Sequence, residues 1–590
     1  MAVRFILLED GEHDHSSALA IAAERGFTAA KLGSRLLLVR PAIASLPISK
    51  CPGVVVGEMF RAGPPSVRVD AFNHIDEDLL CGDAETMGRA FWGSYVVLLA
   101  RGPDLIVRRD PSGTMPCLAA SLEGRAALAS DMGMLELFDW RARIDLHGLV
   151  QCLCTGNLPA RRTALEGVED VLPGTELVLS ARGASVRQWW SPWKHVEVHD
   201  REPAFRVFDA VCDATAALSA PHDRLLLGAS GGLDSSIVAA SLPGAADRLT
   251  CFTVSTRDAR GDERQHARSL ARHLGLELIE RWYSVCPSDL RHSASAHLPA
   301  PRFSATVAAY ARLQLALCDQ NKPDAFLTGL GGDNVFGFTH SAAPVLDRLR
   351  QEGIGSGLFA TVGDVAAITG SGVGQVLRSA WKRSRWDVPY RWRTDATFLD
   401  PEIAREASAC EVRHAWLAFP PDALPGKAAH VAAILRGQIH VEGLLDRSHP
   451  PTICPLMSQP VMEACLPVES WRWCEGGWNR AVARIAFAPL LPADVTWRRS
   501  KGSPDGHAHA LFTKFGHEIR DRLLGGWLAR RGILDLNAIK TAFGRAAAST
   551  ASELVRIFDL LDAELWADYW SGRDTRADQS GTVRTTLDES

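Results

Sequence analysis

Ser230-Gly231-Gly232-Leu233-Asp234-Ser235-Ser236 follows directly on the apolar run Leu225-Leu226-Leu227 and opens a segment with helical periodicity, so it reads as a strand–loop–helix turn. Adjacent glycines let several backbone N–H groups turn toward one point, the hydroxyls add donors, and a helix N-terminus adds a positive end; together these suit a pyrophosphate. Asp234 would repel phosphate on its own. Its place inside the loop makes sense if its carboxylate holds a magnesium ion that bridges the phosphates. A plain glycine turn is the competing reading, and it leaves the Asp-Ser-Ser run after the glycines unexplained. The loop lacks the Gly-Lys-Ser ending that places a lysine on a γ-phosphate, which moves the expected chemistry to the α-phosphate.

The surrounding chain alternates strand and helix signals. Phe205, Phe208, Val211, Ala214 and Leu218 recur at helical spacing before the loop. After it come a strand at Leu249 to Val254, a helix from Asp262 to His273 closed by Gly275, a strand near Leu276 to Ile279, a helix across Ala305 to Cys318, and a strand at Ala325 to Thr328. That order predicts a doubly wound parallel sheet with ligands at the carboxyl ends of its strands. Residues 1–195 differ. Their short apolar runs (Leu36 to Val39, Gly53 to Val56, Tyr95 to Leu99, Leu105 to Val107), broken by Gly and Pro, predict an α+β layer domain, with Asp110-Pro111-Ser112-Gly113 as the turn of a hairpin. The Trp189-Trp190-Ser191-Pro192-Trp193 stretch marks the junction. The expected organisation is therefore 1–195, 203–535, and a C-terminal helical extension with a polar tail over 536–590, structureless from Ser571.

The 590 residues carry 64 basic and 69 acidic side chains, a formal net charge of -5, so no global cationic field exists to grip nucleic acid, a local basic patch being left open. No apolar run is long enough to span a bilayer and the N-terminus lacks a secretory pattern, so the reading expects a cytoplasmic protein with neither nucleic acid nor membrane as a partner. Thirteen cysteines are too dilute for a disulfide framework and read as buried thiols, Cys152 and Cys154 among them on an apolar helix. His13, His15, His507 and His509 have no companion cluster at zinc spacing and read as surface or loop residues.

Three blocks carry a family resemblance. The loop Ser230 to Ser236 resembles the SGGxDS signature of PP-loop ATP pyrophosphatases. Leu327-Thr328-Gly329-Leu330-Gly331-Gly332-Asp333-Asn334-Val335-Phe336-Gly337 resembles the SGxGGDExFGG block of asparagine synthetases, with Asn334 in place of a glutamate. Asp494-Val495-Thr496-Trp497-Arg498-Arg499-Ser500-Lys501-Gly502 resembles their LPxxIxxRxKxG segment. The resemblance implies ATP and Mg2+ as cofactors, with Asp234 and Asp333 on the metal. It implies nucleotide contacts at Ser230, Gly231, Gly232, Leu233, Ser235, Ser236, Gly329, Gly331 and Gly332, and adenine contacts at Thr253, Val254 and Ser255. Lys501 would approach the α-phosphate and the reacting acyl group, with a solvated lysine in a basic run as the alternative. Asp262 and Glu263 read equally as site residues or as acids favoured in a first helical turn. No acid stands where the family places its GVEAR glutamate, which leaves Glu442 and His449 as candidate bases.

The first domain resembles the Ntn-type glutaminase of asparagine synthetases, through Arg109-Asp110-Pro111-Ser112-Gly113-Thr114-Met115-Pro116, but Ala2 stands where that family has its nucleophilic cysteine. A methyl group cannot attack an amide, so the amine has to come from elsewhere. The longer similarities, at Arg187 to Trp193, Glu442 to Val461 and Gly476 to Gly502, resemble proteobacterial lasso peptide cyclases. That resemblance implies adenylation of an Asp or Glu side chain of a precursor peptide and closure of an isopeptide ring by the peptide's own amine. It also implies a leader peptidase and a leader-recognition protein as partners. A β-lactam-type or other small-molecule amide synthetase shares every motif, and a catalytically silent peptide-binding scaffold is the reading from another class.

Overall fold

The computed structural model describes residues 2–9, 16–122, 125–138, 140–197, 202–256, 262–409, 414–499, 505–545 and 551–575. Lys501, His13 and His15 lie outside them. The molecule is α/β, with two antiparallel sheets from the N-terminal part and one parallel sheet from the C-terminal part. The first sheet runs Val168–Asp170, Leu118–Leu122, Arg125–Ala129, Arg4–Leu8, Arg35–Arg40, Thr28–Leu32. The second runs Gly183–Gln188, Thr175–Ser180, Asp104–Arg109, Phe91–Arg101, Gly53–Arg61, Ser45–Ile48.

The unbroken apolar runs of these strands follow from burial of both sheet faces. Leu37 and Val39 point between the two sheets with Phe5, Val54, Val56, Val96 and Leu98. Leu36 and Leu38 point the other way, into a core shared with the C-terminal residues Leu511, Leu523, Phe558 and Trp566. On the outer face of the second sheet, Val55, Val97 and Leu99 share a core with Val207, Leu225 and Leu227. The N-terminal part is thus sandwiched between the parallel sheet and the C-terminal helices.

Specific polar contacts fix the junction. Trp190 Nε1 donates to Glu463 at 2.7 Å, Gln438 Nε2 to the Pro111 carbonyl at 2.8 Å, and Arg447 Nε to the Val3 carbonyl at 2.8 Å. A four-member ionic network lies at the centre. Arg109 pairs with Asp170 at 2.7 Å, Arg302 pairs with Asp170 at 3.0 Å and with Glu442 at 2.7 Å, and Arg109 approaches Glu442 at 3.7 Å. The C-terminal Ala551–Thr575 helix is pinned by Asp562, which accepts from Ser293 Oγ, the Ala294 N–H and Ser295 Oγ at 2.7–2.9 Å.

Several expectations need correction. Asp110 to Gly113 is not a hairpin turn: the strand before it pairs within the second sheet and the strand after it, Leu118–Leu122, within the first, so the chain changes sheets there. The corner is held by buried Arg109, which donates to the Gly113, Met115 and Val171 carbonyls. Phe205 is 67% exposed although it fits the helical period, because the Pro203–Ser219 helix buries Val207, Val211, Ala214 and Leu218 instead. Cys51 and Cys81 form a disulfide, joining the turn before the Gly53–Arg61 strand to the end of the His74–Cys81 helix. His507 is buried and stacked on Tyr283, since the segment after 504 is a helix rather than a loop. The last helix continues to Thr575, past Ser571.

Removing one member of a buried ionic network strands its partners without water, which costs about 3–5 kcal/mol, whereas an exposed pair contributes under about 1 kcal/mol. Asp170→Ala should therefore lower the first urea-unfolding transition by a cost in the former range. Asp387→Ala, which breaks the exposed Arg391–Asp387 pair, should leave it within the error of the measurement. Equal behaviour of the two variants in circular-dichroism melts would remove the network from the stability account.

Candidate active site

The parallel sheet sets the site. Its order is Glu277–Trp282, Leu249–Ser255, Leu225–Gly228, Ala325–Leu327, Thr452–Ile453, which in order of occurrence is third, second, first, fourth, fifth. The order reverses between Leu225–Gly228 and Ala325–Leu327, and crossovers leave the sheet on opposite sides there, opening a crevice at the carboxyl ends. The loop 229–232 leaves the first of these strands and 328–331 leaves the second. The two motifs, about a hundred residues apart in sequence, are neighbours because of that strand order.

Absent side chains let the loops touch. A Cβ on Gly329 would lie 2.5 Å from the Ser235 backbone nitrogen, and one on Gly332 would lie 2.3 Å from Asp234 Cγ. Gly231 has φ +66 and would place a Cβ 2.5 Å from His266 Cβ. The helix Leu233–Ala240 then begins at the crevice with Asp234 in its first turn, and Ser236 Oγ donates to the Gly232 carbonyl at 2.7 Å. The resulting cleft of about 200 Å³ is lined by Ser230, Gly232, Leu233, Asp234, Ser235, Thr328 and Gly329 on one side, and by Arg480, Arg484 and Arg498 on the other.

Those three arginines escaped the sequence reading, which put its one cation on Lys501. Arg480 Nη1 lies 2.8 Å from Asp234 Oδ1 and 2.7 Å from Asp333 Oδ1, so one guanidinium joins both carboxylates. Its backbone is left-handed, φ 59, at the head of the Ala481–Phe487 helix, a conformation that persists in arginine only where the surroundings enforce it. Arg498 pairs with Glu263 at 2.9 Å, tying the C-terminal basic segment to the helix beside the loop. The signal for Arg480 and Arg484 was the Arg-x-x-x-Arg spacing in Asn479-Arg480-Ala481-Val482-Ala483-Arg484, one helical turn apart.

The donor set fits a magnesium ion. Two carboxylates from neighbouring strand ends already converge on a single cation, and hard oxygen ligands in that number, completed by phosphates and water, are what magnesium takes. Asp234 and Asp333 would hold it. No group of three or more His, Cys, Asp or Glu ligands exists among the described residues, so a site of this kind depends on the nucleotide for the rest of its shell.

The remaining predicted residues divide. Thr253, Val254 and Ser255 end the Leu249–Ser255 strand but line neither the cleft nor the cavity beside it. The Thr253 hydroxyl is buried without a partner among the described residues, while Ser255 donates to Asp262 at 3.0 Å. Gly331 has φ +88 and sits against Met457. Asn334 donates to the Ala433 carbonyl at 2.6 Å, a packing role for which an amide suffices. Asp262 stands just ahead of the Arg264–Leu274 helix, accepting from the Arg264 N–H and pairing with its guanidinium, whose hydrogen bonds hold the carboxyl well below the usual range; neither it nor Glu263 lies in the first turn. Neither candidate base reaches the cleft. Glu442 is committed to Arg302, and His449 lies on a turn paired with Asp446 at 2.9 Å, which raises its pKa.

A larger cavity of about 590 Å³ adjoins the cleft and shares Gly228 and Thr328 with it. Phe252, Phe303, Tyr310 and Phe326 form apolar walls, with Arg302, Arg436, Arg556 and Asp559 among the polar ones.

Two variants test this geometry. Gly329→Ala pushes a methyl group into the first turn of the phosphate helix and should weaken ATP binding at least about tenfold while the far-ultraviolet spectrum is unchanged. Arg480→Met removes the guanidinium that competes for both carboxylates, so Mn2+ binding without nucleotide, followed by electron paramagnetic resonance, should tighten by about tenfold as the competent fraction rises. Unchanged Mn2+ affinity would show that the carboxylates do not form the metal site.

The asparagine synthase family model matches residues 228–570. No curated protein matches the chain. Among solved structures, a glutamine phosphoribosylpyrophosphate amidotransferase from B. subtilis complexed with ADP and GMP is similar at 9% identity and a TM-score of 0.22, over 48% of this chain and 83% of that one. A structure described as the allosteric regulatory enzyme of purine biosynthesis is similar at 11% identity and a TM-score of 0.20, over 48% and 74%. Likenesses that weak leave the argument to the matched region, which takes in both glycine loops, both carboxylates and all three arginines: the chain belongs to the asparagine synthase family, whose domain of this kind forms amide bonds with ATP.

Proposed function

We propose that this ligase activates a side-chain carboxylate of a precursor peptide as its acyl-adenylate and closes an isopeptide ring with the peptide's own N-terminal amine. The observation that carries the reading is the shared wall of cleft and cavity at Gly228 and Thr328. A carboxylate reaching through the aromatic cavity meets the phosphate cleft from the side, where the α-phosphate of a nucleotide held by the loop would stand.

The carboxylate oxygen attacks the α-phosphorus and pyrophosphate departs. In this reading the backbone N–H groups at the head of Leu233–Ala240 and the guanidinium groups of Arg480, Arg484 and Arg498 would hold that leaving group. Magnesium, when bound at Asp234 and Asp333, neutralises phosphate charge. The amine then attacks the acyl carbon, the bond to the AMP oxygen breaks, and AMP leaves. An α-amine has a reference pKa of about 7.7–8.0, so part of it is already nucleophilic near neutrality. Orientation is the harder requirement, worth roughly 7–11 kcal/mol in well-placed intramolecular reactions. By resemblance Lys501 stands beside the reacting acyl group.

Ala2, buried in the structure, supplies no nucleophile, which supports a degenerate glutaminase-like first domain and an amine carried by the substrate itself. A leader peptidase and a leader-recognition protein are the proposed partners and the cytoplasm the proposed location. Among the described residues no helix is long and apolar enough to cross a membrane. A small-molecule amide synthetase is the second reading, favoured by one observation: about 590 Å³ falls in the range of small-molecule sites. A silent scaffold would have no use for two convergent carboxylates facing three arginines.

With a peptide substrate, turnover should yield AMP and pyrophosphate in equal amounts, and a peptide with a blocked amine should still support exchange of labelled pyrophosphate into ATP. ADP and phosphate as products would falsify adenylation. Lys501→Ala should keep ATP binding and lose about 10²–10³-fold in ring formation, the scale of one preorganised electrostatic contact. Incubated with glutamine, the purified protein should release no glutamate; stoichiometric release would require a nucleophile other than residue 2.

A further inference from the structure

Asp559 lies on the C-terminal Ala551–Thr575 helix, and among the described residues it is the only carboxylate lining the 590 Å³ cavity. The cations on the same walls are mostly committed. Arg302 is paired with Asp170 and Glu442. Arg556 donates to the Leu153, Asp395 and Thr397 carbonyls. Arg436 stacks over Trp392 at 4.0 Å and has no carboxylate partner among the described residues. Among the described residues the cavity therefore offers one cation without a carboxylate partner and one carboxylate between aromatic walls, and it shares Gly228 and Thr328 with the phosphate cleft. A substrate that carries both a carboxylate and an amine matches those two charges.

We propose that Asp559 holds the substrate's amine in this cavity and takes its proton as the amide forms, an assignment that rests on the ligase reading. The held ammonium first gives one proton to the Asp559 carboxylate and on to water; the freed amine nitrogen then bonds to the acyl carbon, the bond to the AMP oxygen breaks with its electron pair going to AMP, and the nitrogen's second proton leaves by the same carboxylate. Burial raises the Asp559 carboxyl to about 6, opposed by Arg556 and a hydrogen bond from Ser304. A carboxylate so placed is still ionised near neutrality yet more basic than an ordinary one, which favours proton transfer from an amine. The groups that face it are Arg556 on its own helix, Ser304, Asp395, and Arg302, Arg436 and His440 on the cavity wall.

The full chain can be tested without the natural substrate, using phenylalaninamide, which presents an ammonium and an aromatic ring, against N-acetylphenylalaninamide, which has lost the charge. Calorimetric titration should detect phenylalaninamide alone. Asp559→Asn should weaken its binding about tenfold or more, the size of one charge-assisted hydrogen bond, and Asp559→Glu should restore part of it. ATP affinity should be the same in all three proteins. In the wild type, phenylalaninamide binding should fall as pH drops through about 6, where the carboxyl takes up its proton; this arm needs no variant and stands even if a substitution unfolds the helix. Equal binding of the two probes, undiminished binding by Asp559→Asn, or a flat profile between pH 5 and about 8 would overturn the assignment. Failure of the wild type to bind ATP would instead defeat the ligase reading itself.

Discussion

Four charged side chains largely shielded from water, Arg109, Asp170, Arg302 and Glu442, fix how the two halves of this molecule meet. Arg109 and Asp170 belong to the antiparallel sheets, Arg302 and Glu442 to the ligase-type domain. Each charge is costly to bury and is tolerated because two opposite charges lie beside it, and Arg109 also donates to three backbone carbonyls. Such a cluster has few satisfactory arrangements, so it specifies the docking angle more sharply than the apolar contacts around it could. Arg302 is also a wall of the large cavity. The shape of the proposed substrate site is thus set by an interaction that touches no nucleotide.

A second constraint acts at shorter range. Phosphate chemistry needs two carboxylates within reach of one metal, and like charges at that distance repel. The fold brings them together by removing side chains: Gly329 and Gly332 let one loop rest on the backbone of the other. It then balances the repulsion with Arg480, held in a backbone conformation unusual for arginine. Arg480 occupies the pair of oxygens that the proposed magnesium ion would take. A guanidinium can let go of carboxylates and take up phosphate oxygens with the same planar donors, so in the proposed reading a nucleotide would exchange ionic partners with Arg480 rather than uncover bare charge.

Much of this was legible beforehand because the responsible signals are local. Strand–loop–helix order around Ser230 to Ser236, and the repeated glycines ahead of Asp333, follow from backbone needs that only certain residues meet, and the family match over 228–570 agrees with them. What was misread depended on distant partners. Asp110 to Gly113 has the composition of a hairpin turn, but Arg109 reaching Asp170 and the Val171 carbonyl makes it a corner between sheets. Phe205 obeys the helical period while the neighbouring Val207 takes the buried place. Cys51 and Cys81 carry no spacing motif and meet through the fold alone. Glu442 looked like a spare acid only because Arg302, 140 positions earlier in the sequence, is its partner.

The two neighbouring spaces divide the work in a way that explains why the motifs announce chemistry and not substrate. The narrow cleft is walled by loop backbone, Asp234 and three arginines, groups of the kind phosphate calls for. The wide cavity draws its wall from the Leu146–Thr155 helix of the first domain, the face of the parallel sheet, the end of the Pro425–Gln438 helix, and Arg556 and Asp559 of the last helix. No single segment encodes it. Apart from the sheet face, which shares Gly228 and Thr328 with the phosphate cleft, the contributors line only the cavity. A family built this way can keep one activation step while the cavity is reshaped for different acyl and amine partners, and the residue that receives the amine can come from an element with no part in binding the nucleotide.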